Sequence, residues 1–96
     1  MAHRLAPQAS AELDDIWLDI ARGSGSPKRA DRVVDTITRR FHLPAAHPRV
    51  GRERSDLRIG LRSFPADAYV ILYRIEGEDV FILHVLDGRR DIRALV

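Results

Sequence analysis

The sequence predicts an α+β fold of order β-α-α-β-β-β, in which a two-helix hairpin lies on one face of an antiparallel sheet. Three observations carry that expectation. Two consecutive segments before Pro44 repeat apolar residues at helical spacing. Three later segments are β-rich and separated by short turn signals. Helices grouped ahead of a strand meander, rather than alternating with it, segregate to one side of the sheet.

Each element has its own warrant. His3 to Leu5 reads as a short edge strand, and Pro7 suits the first turn of a helix, where its missing N–H is not needed. Ala9, Leu13, Ile16, Trp17, Ile20 and Ala21 then form the apolar stripe of helix one, with Glu12, Asp14, Asp15 and Asp19 off it. Gly23-Ser24-Gly25 ends that helix. Ser26-Pro27 opens the next, a capping hydroxyl followed by proline at the first helical position. Ala30, Val33, Val34, Ile37 and Phe41 are its buried stripe, and Pro44 is expected to stop it. Ala45 to Ser55 reads as a polar loop. Leu57 to Phe64 alternates as a strand, Pro65-Ala66-Asp67 as a turn, and Ala68–Ile75 and Val80–Leu86 as a hairpin across Glu76-Gly77-Glu78-Asp79.

The strand pattern raises a question of cover. Tyr69, Ile71, Tyr73 and Ile75 share one side, and Val70, Leu72 and Arg74 the other. In the last strand Phe81, Leu83 and Val85 oppose Val80, Ile82, His84 and Leu86. Strands apolar on both faces need cover on both. One helical layer supplies one, so a partner chain is expected to supply the second. Ile92 to Val96 has two open readings, packing under that partner or against the sheet.

Composition bounds the function classes. Ninety-six residues and 10.9 kDa make one domain, residues 1–96, with a modest core. Hydrophobic residues at 45% and charged residues at 31% are the balance of a globular domain. No apolar run reaches the roughly 18 residues that span a bilayer, and no leader peptide is visible after Met1. Zero cysteines exclude disulfides and thiolate chemistry, so the expected location is the cytoplasm, with no membrane partner. The net charge of +2, shared evenly by the two halves, lacks the field of a nucleic-acid binder, and no direct sequence-specific contact with nucleic acid is expected.

Read for chemistry alone, the chain carries no strong catalytic or metal motif. His42 and His47 are five apart across a proline, not at zinc-ligand helical spacing, and no cofactor or metal is expected. Trp17 reads as a core anchor, and the Asp14, Asp15 and Asp19 cluster as a solvated helix face. The positive feature is the run Arg49, Arg52, Arg54, Arg58 and Arg62 against only Glu53 and Asp56. Arg58 and Arg62, on one face of the expected strand about 13 Å apart, would form with Arg74 and His84 a cationic sheet face able to bind phosphate or carboxylate. Pairing of these arginines with nearby carboxylates is the competing reading.

Read end to end, these residues resemble the ParE toxins of type II toxin–antitoxin modules, in the RelE/ParE superfamily. Leu5-x-Pro7-x-Ala9-x-x-x-Leu13-x-x-Ile16-Trp17-x-x-Ile20 is similar to the family's opening helix. Pro48-x-x-Gly51-Arg52-x-Arg54-x-Asp56-Leu57-x-x-Gly60-Leu61-Arg62-Ser63 resembles its central loop and strand. Tyr69-x-Ile71-x-Tyr73 and Val85-Leu86-x-Gly88-Arg89-Arg90-Asp91 resemble its final hairpin and end. The resemblance implies a RelE/ParE-like fold and a cognate ParD-like antitoxin that docks a helical or extended segment on the toxin. It implies inhibition of DNA gyrase by protein binding, without catalysis by the toxin. The RelE branch implies the alternative, a ribosome-dependent mRNA endonuclease whose residues here would be Arg58, Arg62, Arg74 and His84. Asp87 stands where many relatives carry His before Gly-Arg-Arg, which removes an obvious base from that motif. The residues expected to meet antitoxin or target are Trp17, Arg52, Arg58, Arg62, Arg74, Arg89 and Arg90.

Overall fold

Pro7 starts the first helix of the fold as expected, and the elements that follow fix where the site lies. A computed structural model describes residues 3–96. In chain order these are β1 (His3–Leu5), α1 (Pro7–Ser24), α2 (Pro27–Arg39), α3 (His42–Ala46), β2 (Arg52–Glu53), β3 (Arg62–Ala66), β4 (Tyr69–Glu76) and β5 (Asp79–Asp87), then a 3-10 turn at Ile92–Ala94. The α+β class, the helical hairpin on one face and the three-strand antiparallel meander are all present. Among the described residues no helix is long and apolar enough to cross a membrane.

The hairpin forms where local chemistry places it. Gly25 closes α1 in the left-handed region at φ +65°, and the Ser26 hydroxyl accepts the Arg29 N–H at the start of α2. α2 ends at Arg39, earlier than Pro44 requires. Pro44 instead sits buried in the first turn of α3, where a helix needs no N–H from it.

The sheet order is β1-β5-β4-β3-β2. The meander is antiparallel, but β1 pairs with β5 in parallel, so the five-stranded sheet is mixed rather than wholly antiparallel. β2, two residues long, arises within the segment expected to be loop.

The third strand is displaced from its expected position. Leu57–Gly60 forms a turn and the strand begins at Arg62, running through Pro65 and Ala66 to a two-residue turn at Asp67, φ +60°. Proline is tolerated because β2 pairs only with Arg62 and Ser63, leaving β3 an edge at Pro65. The β4–β5 loop likewise shortens to Gly77 and Glu78.

Ile71, Tyr73, Val80, Ile82 and Val85 pack under Ala9, Leu13, Ile37 and Phe41. A bulge between Leu72 and Tyr73 breaks the alternation expected of β5. Tyr73 pairs with Ile82 and Leu72 with His84, so Leu83 has no partner. Val80, Ile82 and Val85 therefore share the helical side, while Leu83 and Leu86 take the other. The expectation that a partner chain must cover that second face is also corrected. Ile92, Leu95 and Val96 fold back with Leu57 over buried Leu61, Leu72 and Leu86. The C-terminal segment is the missing cover.

Candidate docking groove

A concavity along α1 follows from a mismatch in length. β1 pairs only with Val80–Ile82 of β5, so the remaining outer edge of β5 has no strand beside it. α1 passes over this gap. A groove of about 570 Å³ lies between α1 and the ends of β4 and β5. Its α1 wall is a stripe one position off the core stripe: Gln8, Glu12, Asp15, Ile16, Asp19 and Ile20. Tyr69, Val85 and Leu86 form the floor, and Asp87, Arg89, Arg90 and Leu95 the opposite lip.

Glu12 seals the inner end. Its carboxylate accepts the Val85 backbone N–H at 3.0 Å and faces His84 Nδ1 at 3.1 Å. A side chain thus satisfies the edge amide where β1 stops, as a buried backbone donor demands. Asp87 shapes the other lip by accepting the Arg89 backbone N–H at 2.9 Å and the guanidinium at 2.8 and 3.1 Å. These bonds hold its carboxyl down at about 2. Burial, followed by the nearby Asp87 charge, pushes the Tyr69 hydroxyl up, so it stays protonated and available as a donor. The groove therefore runs between an acidic wall and a basic lip, over a floor where Val85 and Leu86 are largely buried and Tyr69 is half-buried. That arrangement suits a peptide segment carrying both signs of charge.

Of the seven residues expected to meet a partner, the groove gathers Arg89 and Arg90. Trp17 is half-buried at the seam of the helical hairpin, where its indole N–H donates to Asp31 at 2.8 Å. Arg52 is exposed on β2. Arg62 donates to the Gly51 carbonyl at 2.8 Å and pairs with Glu53, pinning the loop before β2. Arg74 pairs with Glu76 and lies over the Phe81 ring, 5.4 Å from its centroid. Arg58 lies in the turn before β3, so its expected alignment with Arg62 on one strand face is lost.

The four-residue cationic face does not assemble. Arg62 stands opposite Tyr73 on the helical side, Arg74 on the other side, and His84 turns to Glu12. Among the described residues no group of three or more His, Asp or Glu is placed to hold a metal. Sequence reasoning missed Glu12, Asp15, Asp19 and Tyr69. The available signal was an acidic stripe at helical spacing beside the apolar one, but nothing local says which strand lies beneath it.

A helical hairpin on a mixed sheet, with a charged-lipped groove along its first helix, defines a small α+β domain of the RelE/ParE toxin architecture. The sequence profile of the family described as "ParE toxin of type II toxin-antitoxin system, parDE" matches residues 4–92. The chain belongs to this ParE toxin family of type II toxin–antitoxin systems. It is 45% identical over 85 residues to Toxin ParE3 of Caulobacter vibrioides, covering 88% of this chain and 84% of that protein. It is 30% identical over 89 residues to Toxin ParE1 of Mycobacterium tuberculosis, covering 92% and 90%. A solved structure described as the chromosomal ParDE TA system from P. aeruginosa shares the fold, with a TM-score of 0.79 at 22% identity over 91% of this chain and 95% of that one.

Proposed function

We propose that this toxin acts by protein binding: a cognate ParD-like antitoxin occupies the α1–β5 groove, and the released toxin inhibits DNA gyrase in the cytoplasm. Family membership supports the pairing with an antitoxin, and the groove suits a segment laid along a helix and a strand edge. The observation that carries binding over phosphodiester cleavage is the dispersal of Arg58, Arg62, Arg74 and His84. In-line cleavage needs cationic and proton-transfer groups converging within hydrogen-bond reach of one phosphate. Here Arg62, Arg74 and His84 each engage a different carboxylate in a different part of the fold.

The test is DNA supercoiling by purified gyrase in the presence of toxin freed of its antitoxin. Loss of supercoiling with trapped cleaved DNA is the expected result. Undiminished supercoiling, together with ribosome-dependent mRNA cleavage, overturns the reading in favour of the endonuclease.

A further inference from the structure

The segment from Arg54 to Leu61 is a closed loop, not a slack one. The Arg54 N–H donates to the Leu61 carbonyl at 2.8 Å and shuts its base. Inside it, the Leu57 and Arg58 amides both donate to the Arg54 carbonyl, and the Leu61 amide to that of Arg58. The Arg54 guanidinium grips the Asp56 carboxylate with two bonds of 3.1 Å, and Arg93 reaches the same carboxylate at 3.2 Å from the C-terminal segment. Gly60, at φ +83°, turns the chain back toward the sheet.

Leu57 and Leu61 point inward to the second-face cluster, while Ile59 between them is 92% exposed. Among the described residues the next most exposed large apolar side chain, Val50, reaches 46%. A lone exposed apolar side chain is ordinary. Here the exposure is enforced by half-buried Leu57 and buried Leu61 on either side and displayed on a loop of fixed shape. Most of the ordering cost of binding has therefore been met during folding.

The charges around it are one-sided. Glu53 is taken by Arg62, and Asp56 by Arg54 and Arg93. The neighbouring cations Arg52 and Arg58 have no ion-pair partner among the described residues and are exposed. The loop joins β2 and β3, and β2 is the edge strand opposite β1, with β3 and β4 between it and the β5 side of the groove. We propose that this loop is the toxin's target-binding finger. Ile59 enters an apolar pocket on the target protein, and Arg58 and Arg52 meet carboxylates at that pocket's rim. This rests on the reading of the chain as a protein-binding toxin, and it assigns antitoxin and target to two separate surfaces.

The experiment compares wild type, Ile59→Asp, Ile59→Leu and Arg58→Glu in three measurements: antitoxin affinity, gyrase inhibition and growth arrest without antitoxin. At an exposed tip these substitutions leave folding intact, which a thermal melt verifies. The Asp and Glu variants are expected to need about tenfold or more protein for the same inhibition, as for loss of one anchoring contact. Their antitoxin affinity stays at the wild-type value, and Ile59→Leu retains inhibition. If wild type and Ile59→Asp inhibit gyrase equally, the finger is overturned and the gyrase reading stands. If wild type arrests growth without touching gyrase, the target reading falls. In that case loss of arrest in Ile59→Asp upholds the finger toward another protein, and retained arrest removes it. If wild type neither arrests growth nor inhibits gyrase, both fall.

Discussion

The Tyr73 hydroxyl accepts the Gly51 backbone N–H at 2.8 Å and donates to the Pro48 carbonyl at 2.7 Å. One buried phenol on β4 thereby ties down the loop that leads into β2. A Cβ at position 51 would stand 2.4 Å from that same oxygen. The glycine in the Pro48-x-x-Gly51-Arg52 motif is thus there for close approach, not for a left-handed turn. Burial pushes the Tyr73 hydroxyl up, so it remains a donor at any physiological pH.

Two substitutions separate the steric from the polar part of this contact. Tyr73→Phe keeps the ring and leaves the Gly51 amide without its acceptor, an expected loss of about 1–3 kcal/mol. Gly51→Ala forces the phenol aside and is expected to cost about 1–3 kcal/mol from overpacking. Urea unfolding of each variant, with an unchanged m-value, is the measurement. A wild-type midpoint in Gly51→Ala would mean the loop is not held against Tyr73.

Glu12 is the second long-range tie. Its carboxylate serves the Val85 amide and faces His84, and its side chain is only 14% exposed. Glu12→Ala removes a charged acceptor from a backbone donor with no strand beside it, and is expected to lower stability by about 1.5–3 kcal/mol. Glu12→Gln keeps an oxygen for Val85 and should cost distinctly less. Amide hydrogen exchange at Val85 reads the contact directly: it should quicken in the Ala variant and stay slow in the Gln variant.

Much of this architecture was legible and some was not, for reasons that differ by element. The helical hairpin rests on signals within a few residues of each other: the Gly25 end, the Ser26-Pro27 start and two apolar stripes. β4 was legible because its alternation runs unbroken from Tyr69 to Ile75. β5 was legible as a strand but not in its faces, since the bulge opposite Leu72 and Tyr73 inserts one residue and reverses the faces beyond it. The strand at Leu57 failed because alternating Leu57, Ile59 and Leu61 also fits a closed turn whose flanks pack inward and whose tip does not. Glu12 was placed only as a residue off the apolar stripe, because its partner lies 73 residues away. Of the groove, only Arg89 and Arg90 were anticipated, through motif likeness rather than geometry.

Asp87 gives the groove a pH signature. Its carboxyl titrates at about 2 in the folded chain against an ordinary 3.8, because the Arg89 side chain and backbone both donate to it. A carboxyl lowered by folding contributes stability that is fully present above 3.8 and is lost as pH falls through about 2. Side-chain carbonyl NMR should place the Asp87 midpoint near 2. In Arg89→Ala the backbone N–H remains, so the midpoint should settle between 2 and 3.8. A midpoint at 3.8 in wild type would show that the lip is open in solution.

Occupation of the groove should be visible as linkage between binding and folding. A ligand at 100 times its dissociation constant adds about 2.7 kcal/mol to the state that binds it. For a domain of this size each kcal/mol moves the melting midpoint by about 4–8 °C, so saturating antitoxin is expected to raise it by roughly 10–20 °C. Arg90→Glu reverses a charge on the exposed basic lip and should leave the midpoint of the free toxin where it was. Ile20→Asp replaces one of the two apolar side chains in the α1 wall with a carboxylate, at a half-buried position outside the main core cluster. Both should weaken antitoxin binding by about tenfold or more and shrink the shift accordingly. The Ile20 variant loses contact area and speeds dissociation, whereas the Arg90 variant slows association and blunts its salt dependence. An antitoxin-induced shift that survives both substitutions would place the docking surface elsewhere on the toxin.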